Sequence, residues 1–374
     1  MNDLHRKIAA IIRAEGPIGL DRFWNLALFD RQAGYYATQN PIGRAGDFVT
    51  APEVSQMFGE LIGAWVAAAW IGLGAPRRFR LVEIGPGRGT LMADMLRTLR
   101  RVAPGCLAAA QVHLVETSET LAAIQAETLT GFDLPILRHR SLAEIGPGPS
   151  IVVANELFDA VAIRQLVFDG EVFRQRCVAL RDNGTFEFVL CRCHHTQPGA
   201  NMLPHPPAAG AVIEVSPERD RLAGALAARL ADQGGAGLFI DYGHAVTGYG
   251  DTLQALHDHA FADPLDRPGE CDITSHVDFA RLAGFFAARS LAVSPIVGQG
   301  DFLIALGLVQ RAGVLGAPLD AAGRQAIEAA VARLAGTGKG QMGALFKVLA
   351  VANAPLALPP FAAAPSHAPP SGAD

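Results

Sequence analysis

Residues 80–90 constrain the fold of this chain more than any other segment. They read Arg-Leu-Val-Glu-Ile-Gly-Pro-Gly-Arg-Gly-Thr, an apolar strand that runs directly into three glycines at alternate positions. A Cβ at Gly85, Gly87 or Gly89 would obstruct a ligand that approaches the backbone over the edge of a sheet. The segment therefore predicts a strand, a glycine turn and a helix, with a nucleotide-like ligand above the turn.

Two details of this loop indicate which ligand it takes. The glycine spacing is one residue tighter than in the dinucleotide fingerprint Gly-x-Gly-x-x-Gly, and Pro86 removes an N–H that a pyrophosphate would need. Glu83, just before the loop, would repel an anion and favour a cation. S-adenosylmethionine carries an ammonium and a sulfonium and no phosphate, so we expect it as the cofactor, bound by Glu83, Gly85, Gly87 and Gly89.

A second acidic residue supports an adenosyl ligand. The next apolar strand, residues 111–116, ends at Glu116. A carboxylate at this position can accept hydrogen bonds from both ribose hydroxyls of an adenosine. The alternative is a structural glycine turn followed by a solvated glutamate, but strand, loop, helix and acidic strand end occur here in the expected order.

Alternating strands and helices after residue 78 predict an α/β fold with a parallel sheet that helices cover on both faces. Strands are expected near 79–85, 111–116, 135–139, 150–155 and 237–242. Asp169-Gly170 and Asn183-Gly184 are hairpin signals, so residues 161–193 predict an antiparallel insertion. The apolar run Phe302–Val309 is expected to form a last, buried strand. We predict a helical region over 1–75, a core over 76–160 and 216–350, the antiparallel insertion over 161–215, and a disordered Ala/Pro tail over 351–374.

The amino-acid composition indicates which kinds of molecule this protein binds and in which compartment it is expected. The 374 residues carry a net charge of −5 without a dense Lys/Arg run, which argues against nucleic acid. Five scattered cysteines predict reduced thiols, and residues 1–15 read as an amphipathic helix rather than a secretory signal. No uncharged stretch is long enough and free enough of proline to predict a membrane span. We therefore expect a cytoplasmic protein of a bacterium; its oligomeric state stays open, a homodimer included.

Six sequence blocks, taken together, resemble one known family. They are Gly34–Tyr36, Asp47–Glu60, Val82–Gly89, Ala154–Ala160, Ile240–Gly243 and Asp272–Phe279. In these blocks the chain resembles the MidA family, methyltransferases related to the mitochondrial complex I assembly factor, and the likeness covers nearly the whole chain except the tail. It implies a seven-stranded, Rossmann-like class I methyltransferase core that binds S-adenosylmethionine. It also implies methylation of a protein arginine, in the mitochondrial case on a complex I subunit. Through the same resemblance, Thr50 and Ser55 become contacts of a lid over the cofactor.

The ends of the fourth and fifth predicted strands carry the expected chemistry. Asn155 and Glu156 end the fourth strand, where ligands of a doubly wound sheet bind, and a glutamate can recognise a guanidinium in bidentate fashion. Carboxylates bound to two nitrogens of the guanidinium would also draw its positive charge away from the third nitrogen, which attacks the methyl group. We predict Glu156, Asn155 and Asp241 as catalytic residues, although Asn155 and Glu156 could instead only cap the next helix. Five further residues are predicted to bind the substrate: Asp159, Tyr242, Asp272, His276 and Asp278.

Three other interpretations compete with these predictions. The residues His257, His259, Asp272, His276 and Asp278, and separately Cys191, Cys193, His194 and His195, suggest metal ligands. Neither set has the spacing of a helical metal motif or a second cysteine pair, and methyl transfer from a sulfonium needs no metal, so we predict none. A nicotinamide-dependent oxidoreductase is disfavoured by Pro86. An assembly chaperone that binds S-adenosylmethionine without catalysis is the alternative outside enzymology.

Overall fold

The computed structural model describes residues 2–38, 50–193, 205–258, 260–355 and 359–361. The described helices are α1 (Asp3–Glu15), α2 (Leu20–Phe29), α3 (Tyr35–Thr38), α4 (Ala51–Val54), α5 (Gln56–Gly72), α6 (Thr90–Val102), α7 (Pro104–Ala109), α8 (Glu119–Thr128), α9 (Pro217–Gln233), α10 (Phe279–Ala287), α11 (Gln299–Ala305), α12 (Leu308–Gly316) and α13 (Ala321–Ala335).

The described strands belong to three sheets. They are β1 (Ile18–Gly19), β2 (Phe79–Ile84), β3 (Ala110–Val115), β4 (Ile136–His139), β5 (Ser150–Asn155), β6 (Arg164–Phe168), β7 (Phe173–Leu180), β8 (Phe186–Arg192), β9 (Val212–Val215), β10 (Gly235–His244), β11 (Gln254–His257), β12 (Ala260–Ala262), β13 (Asp272–Thr274), β14 (Val277–Asp278), β15 (Ala292–Val293), β16 (Val297–Gly298) and β17 (Phe346–Ala352).

The main sheet has the α/β architecture that the alternation of strands and helices predicts. Its strands follow the order β15-β17-β10-β5-β2-β3-β4. The five strands from β4 to β10 are parallel, and β17 runs antiparallel to β10. The described sheet has nine strands rather than the seven that the resemblance implies, because two-residue strands, β14 and β16, also pair with β10 and β17.

Burial on both faces explains why the central strands read as continuous apolar runs. One face packs against α5 and α6 through residues such as Leu81, Ile62 and Met95. The other face packs against α9 and α10 through residues such as Val82 and Leu226. Strands of a parallel sheet that are covered in this way cannot show the alternation of a half-exposed strand. All five predicted parallel strands are present, within two residues of the expected ends.

A second, five-stranded antiparallel sheet lies between β5 and β10 in the chain. β6 and β7 pair around Asp169-Gly170, and β7 and β8 pair around Asn183-Gly184, which confirms both predicted hairpins. β9 and the short N-terminal strand β1 complete this sheet. The helices α1 and α2 pack on it, and Trp24 Nε1 donates a hydrogen bond of 2.9 Å to the carbonyl of Ala160. The N-terminal region is thereby attached to the turn that follows β5.

The prediction of a last strand over Phe302–Val309 is wrong. These residues end α11 and begin α12, with Gly307 between the helices at a φ of 100°. A short apolar run is compatible with a buried helix as well as with a strand, and here Phe302, Leu303 and Leu308 reach the core from helices. The last strand is β17, so the boundary predicted at 351 falls inside it. Residues 356–358 and 362–374 of the predicted tail lie outside the described residues. None of the described helices is long and apolar enough to cross a membrane.

Candidate active site

The glycine loop connects β2 to α6 at the carboxyl edge of the sheet. Gly85, Gly87 and Gly89 have φ values of 67°, 53° and 83°, a backbone region that favours glycine. The N–H of Gly85 donates to the carbonyl of Val115 over 3.0 Å, which attaches the loop to the end of β3. The sequence prediction of a strand, a glycine turn and a helix is therefore confirmed.

Glu116 follows β3 directly and lies beside this loop. Its Oε1 accepts a hydrogen bond of 2.8 Å from the N–H of Ser118, and its Oε2 accepts one of 3.3 Å from Nε2 of Gln125. Burial raises the pKa of this carboxyl. Gln125 Nε2 also donates to the carbonyl of Gly87 over 2.8 Å, so one amide links the loop to Glu116. Sequence reasoning missed Gln125, because a single glutamine on α8 belongs to no motif.

Buried acceptor oxygens without partners lie at this end of the sheet. Gln125 Oε1 and Glu83 Oε2 are buried, and neither accepts a hydrogen bond from the residues that the structure describes. Glu83 is 2 % exposed, and its burial raises the pKa of the carboxyl well above the usual value. A hydrogen bond from the backbone N–H of Met92, at the start of α6, opposes this rise in pKa. Buried polar atoms normally find partners. Both oxygens are acceptors, and S-adenosylmethionine carries amino groups that can donate to them, so these residues are compatible with that cofactor.

The short helix α4 joins the cofactor side to the end of β5. Thr90 Oγ1, at the start of α6, donates to Glu53 Oε1 over 2.5 Å, and the N–H of Ala51 donates to Glu156 Oε1 over 3.1 Å. Thr50 precedes α4, and Ser55 Oγ caps α5 by accepting from the N–H of Met57. Contact of Thr50 and Ser55 with the cofactor stays a prediction. Residues 39–49, which include the start of the same sequence block, lie outside the described residues.

Glu156 occupies a strained position directly after β5. Its φ is 52°, in the left-handed region that non-glycine residues rarely adopt, and such strain is common at functional sites. Its N–H donates to the carbonyl of Ile240, and its Oε1 also accepts from Nδ2 of Asn155 over 3.1 Å. Burial and the neighbouring carboxylate of Asp159 raise the pKa of Glu156 to about 7. A carboxyl with this pKa can change its protonation state near neutral pH.

Asp241 organises the turn after Glu156. Its Oδ2 accepts hydrogen bonds from the N–H groups of residues 157, 158 and 159 over 3.1, 2.8 and 3.2 Å, and its Oδ1 accepts from the N–H of Tyr242. Burial raises the pKa of Asp241, while these four donors favour its ionised form. Both carboxylate oxygens are engaged by backbone, so Asp241 positions the turn that carries Glu156 and Asp159. Its catalytic role stays a prediction.

Asp159 and Arg219 form the buried charged centre of the site. Burial raises the pKa of Asp159 to about 6, and the nearby guanidinium of Arg219 opposes this rise. Arg219 Nη2 donates to the carbonyl of Asp159 over 3.2 Å and to Ser275 Oγ over 2.7 Å, and its Nη1 donates to the carbonyl of His276 over 2.8 Å. Asp159 Oδ1 is buried without a partner among the described residues. Tyr242 contributes a side-chain hydrogen bond to Asp159.

Sequence reasoning also missed Arg219, although the sequence carries a signal for it. The residue lies in the first turn of α9, where the helix dipole disfavours a positive charge. Its acceptors lie elsewhere in the fold, at Asp159, Ser275 and His276. Tyr36 is a third missed residue: burial and the carboxylates of Asp272 and Asp159 raise the pKa of its phenol well above the usual value. The backbone carbonyl of Tyr36 accepts from Ser118 Oγ over 2.9 Å, so Tyr36 lies between the cofactor side and the acidic cluster.

The remaining predicted substrate residues divide into two groups. Asp272 is buried and, with Tyr242, lies close enough to Tyr36 to raise its pKa. The ring of His276 packs edge-on against Tyr242, with 5.6 Å between centroids, and burial lowers the pKa of the imidazole. Asp278 instead caps α10, because its carboxylate accepts from the N–H of Arg281 and from Thr247 Oγ1. The structure thus brings together four of the predicted substrate residues, Asp159, Tyr242, Asp272 and His276. The fifth, Asp278, caps a helix instead.

The described residues contain no group of three or more histidine, cysteine, aspartate or glutamate side chains that could hold a metal ion. His257 Nδ1 is 2.9 Å from the carbonyl oxygen of Glu270. His194, His195 and His259 lie outside the described residues.

Comparisons with known proteins agree with this geometry. A family described as "Putative S-adenosyl-L-methionine-dependent methyltransferase" matches residues 61–296. The zebrafish (Danio rerio) protein named "Protein arginine methyltransferase NDUFAF7, mitochondrial" is 34 % identical over 333 residues, which cover 83 % of this chain and 78 % of the relative. The human protein of the same name is 33 % identical and covers 81 % of this chain and 73 % of its own length. A crystal structure from Burkholderia thailandensis, bound to S-adenosyl-homocysteine, superposes with a TM-score of 0.80 at 26 % identity and covers 93 % of this chain and 91 % of that one.

One prediction is contradicted by these comparisons. The chain was expected to be a cytoplasmic protein of a bacterium, but the curated relatives are named as mitochondrial proteins of animals. Reduced cysteines and a modest net charge do not distinguish one reducing compartment from another, so composition was an insufficient basis for that prediction.

Proposed function

Because the chain belongs to a family of S-adenosylmethionine-dependent methyltransferases, we propose that it transfers the methyl group to an arginine side chain of a protein. The relatives that carry the name protein arginine methyltransferase support this acceptor. Their name NDUFAF7 also agrees with the link to respiratory complex I assembly that the resemblance implies, and we extend that link to this chain.

The observation that carries the proposal is a pair of buried oxygens at the end of β5. Asn155 Oδ1 and Asp159 Oδ1 accept no hydrogen bond from the described residues, and both belong to the segment that carries the carboxylate of Glu156. A guanidinium is planar, carries five N–H donors and has no acceptor. It can therefore donate to several oxygens at once, which a lone hydroxyl or thiol acceptor cannot.

The acidic cluster also suits the chemistry of the transfer. S-adenosylmethionine supplies an electrophilic methyl group when bound. A guanidinium nitrogen forms the new bond to this methyl carbon, the bond from the methyl carbon to sulfur breaks, and the nitrogen loses one proton. Glu156 and Asp159 would hold the other two nitrogens and draw the positive charge toward them, which leaves a lone pair on the attacking nitrogen. Since the pKa of Glu156 is raised to about 7, this carboxyl can also accept the released proton near neutral pH.

The cofactor-binding residues in this proposal are those around the glycine loop. Glu116 would accept from the ribose hydroxyls with the lone pairs that Ser118 and Gln125 leave free. Glu83 would balance the positive charge of the cofactor, and Gly85, Gly87 and Gly89 would let it approach the backbone. Thr50 and Ser55 would contact it from the α4 side. Asp241, Tyr242 and Asp272 would position the acidic cluster around the acceptor.

The test is transfer of a radiolabelled methyl group to the proteins of a lysate that lacks the endogenous enzyme. We expect one dominant labelled protein, and its hydrolysis should release labelled methylarginine. Gly87→Val serves as the control that cannot accommodate the cofactor. Label on a residue other than arginine would refute the proposed acceptor. Binding of S-adenosylhomocysteine without any transfer would instead favour the non-catalytic assembly chaperone.

A further inference from the structure

A cavity lies at the same edge of the sheet as the acidic cluster, beside the end of β10. Its volume is about 260 Å³, and its walls come from β9, the first turns of α9 and α10, and residues 244–250. This volume is below the range of about 300 to 1,000 Å³ that is typical of pockets for small-molecule ligands. A single side chain from another protein is therefore a better match in size than a cofactor.

The carboxylates that line this cavity are paired within the protein, whereas Nε of Arg219, also in the wall, is buried without a partner among the described residues. Glu214 accepts from Thr252 Oγ1 and from the N–H of the same residue, over 2.5 and 2.9 Å. Asp220 binds Arg281 through two hydrogen bonds of 2.7 and 2.6 Å. Asp278 accepts from α10 and from Thr247, as described above. The three carboxylates are thus satisfied within the protein, so an apolar group that enters between the apolar walls displaces none of their hydrogen bonds.

Apolar side chains make up much of the wall. Ile213 and Val215 come from β9, Leu282 and Phe285 from α10, and Val246 from the loop after β10. Val246 is 75 % exposed. It lies at the rim, where an incoming side chain would cover it.

The cavity is directly adjacent to the acceptor cluster. Arg219 and His276 line it, and the same Arg219 donates to the carbonyl of Asp159. The ring of His276 contacts Tyr242, which hydrogen-bonds to Asp159. One layer of side chains thus separates the cavity from the place where the acceptor guanidinium would bind. A peptide that presents its arginine to Asp159 can reach the cavity with a residue close to that arginine in sequence.

We propose that this cavity receives an apolar side chain that flanks the acceptor arginine of the protein substrate. The inference rests on the proposed function and adds to it the class of sequence that the enzyme recognises: an arginine for the acidic cluster, with a large apolar residue at a fixed distance from it. The acidic cluster and the apolar cavity together complement a cationic residue and an apolar neighbour.

An arginine-centred peptide library tests the proposal. In each pool one flanking position is fixed as leucine, phenylalanine, glycine or aspartate, and methyl transfer from labelled S-adenosylmethionine is measured. We expect one flanking position at which leucine or phenylalanine is preferred to glycine by at least about tenfold, as is usual for filling an apolar pocket. Val246→Asp places a charge at the rim without disturbing the core and should abolish this preference. Val314→Asp, at a valine on α12 that is 65 % exposed and does not line the cavity, is the matched control.

The outcomes separate the two proposals. An apolar preference that Val246→Asp removes and Val314→Asp retains supports the cavity as the recognition site, provided that both variants bind S-adenosylhomocysteine like the wild type. Methylation of arginine peptides without any apolar preference, or with one that survives in Val246→Asp, overturns the inference and leaves the proposed function intact. Failure to methylate any arginine peptide, with S-adenosylhomocysteine still bound, refutes the arginine acceptor and the inference with it.

Discussion

Replacing Glu156 by glutamine should lower catalysis and raise stability at the same time. Burial and the carboxylate of Asp159 raise the pKa of Glu156 from 4.5 to about 7. Since each pKa unit corresponds to 1.36 kcal/mol, ionising Glu156 in the folded protein costs about 3 kcal/mol more than in the unfolded chain. Glutamine keeps the size of the side chain and can still accept from the N–H of Ala51, but it has no charge to bury.

The sign of the effect follows from the direction of the shift. A carboxyl whose folded pKa is raised favours the protonated form, so its stabilising contribution is complete below about pH 4.5 and is lost as the pH rises to about 7. The free energy of unfolding of Glu156→Gln should therefore exceed that of the wild type by an amount that grows over this range. Above about pH 7 the difference should level off at about 3 kcal/mol.

The assay combines urea unfolding between about pH 4.5 and 8 with methyl transfer under saturating S-adenosylmethionine. Turnover of the variant should fall about a hundredfold or more, while its affinity for S-adenosylhomocysteine changes less than about threefold. Glu127→Gln, at an exposed glutamate on α8, is the matched control and should change neither quantity. The reasoning is refuted if the stability difference between Glu156→Gln and wild type does not depend on pH, or if the variant methylates at a near wild-type rate.

Four further predictions concern the cofactor site and the turn after β5. Gly87→Val should abolish S-adenosylhomocysteine binding in calorimetry, because a β-branched residue is strained at a φ of 53° and its side chain blocks the ligand; unchanged affinity in a folded variant would contradict the adenosyl site. Glu116→Ala should weaken the same binding through the loss of charge-assisted hydrogen bonds worth about 1.5–3 kcal/mol each. In a thermal-shift assay the wild-type protein should be stabilised by S-adenosylmethionine but not by NAD, and equal shifts would contradict the choice of cofactor. Asp241→Ala should lower the free energy of unfolding by at least about 2 kcal/mol, because the N–H groups of residues 157–159 lose the oxygen that accepts from them; an unchanged urea midpoint would show that these hydrogen bonds contribute little.

The local sequence determined those parts of the protein whose residues are contiguous or follow a periodic pattern. The turn through Gly85, Gly87 and Gly89 was predictable because its backbone requires glycine, and Glu116 because the end of a strand is fixed by the strand itself. Two hairpins followed from Asp-Gly and Asn-Gly turns. These features depend on φ angles and on hydrophobic alternation, which a chain carries in its order of residues.

The apolar run from Phe302 marks the limit of that reasoning. A continuous run of apolar residues indicates only that the segment is buried, because a buried strand and a buried helix share this pattern. Packing against the sheet decides that this segment forms α11 and α12.

Only the tertiary structure decided how the acidic cluster is built. Asp241 and the turn at residues 157–159 are more than 80 residues apart, yet one carboxylate oxygen accepts three N–H groups of that turn. Arg219 reaches Asp159 and His276 from a different helix, and Tyr36 approaches the same cluster from the N-terminal region. The sequence showed that these residues are polar or aromatic, but their proximity in space depends on how α2, α3 and α9 pack around the sheet. The raised pKa of Glu156 belongs to that packing as well, because burial and a neighbouring charge exist only once the chain has folded.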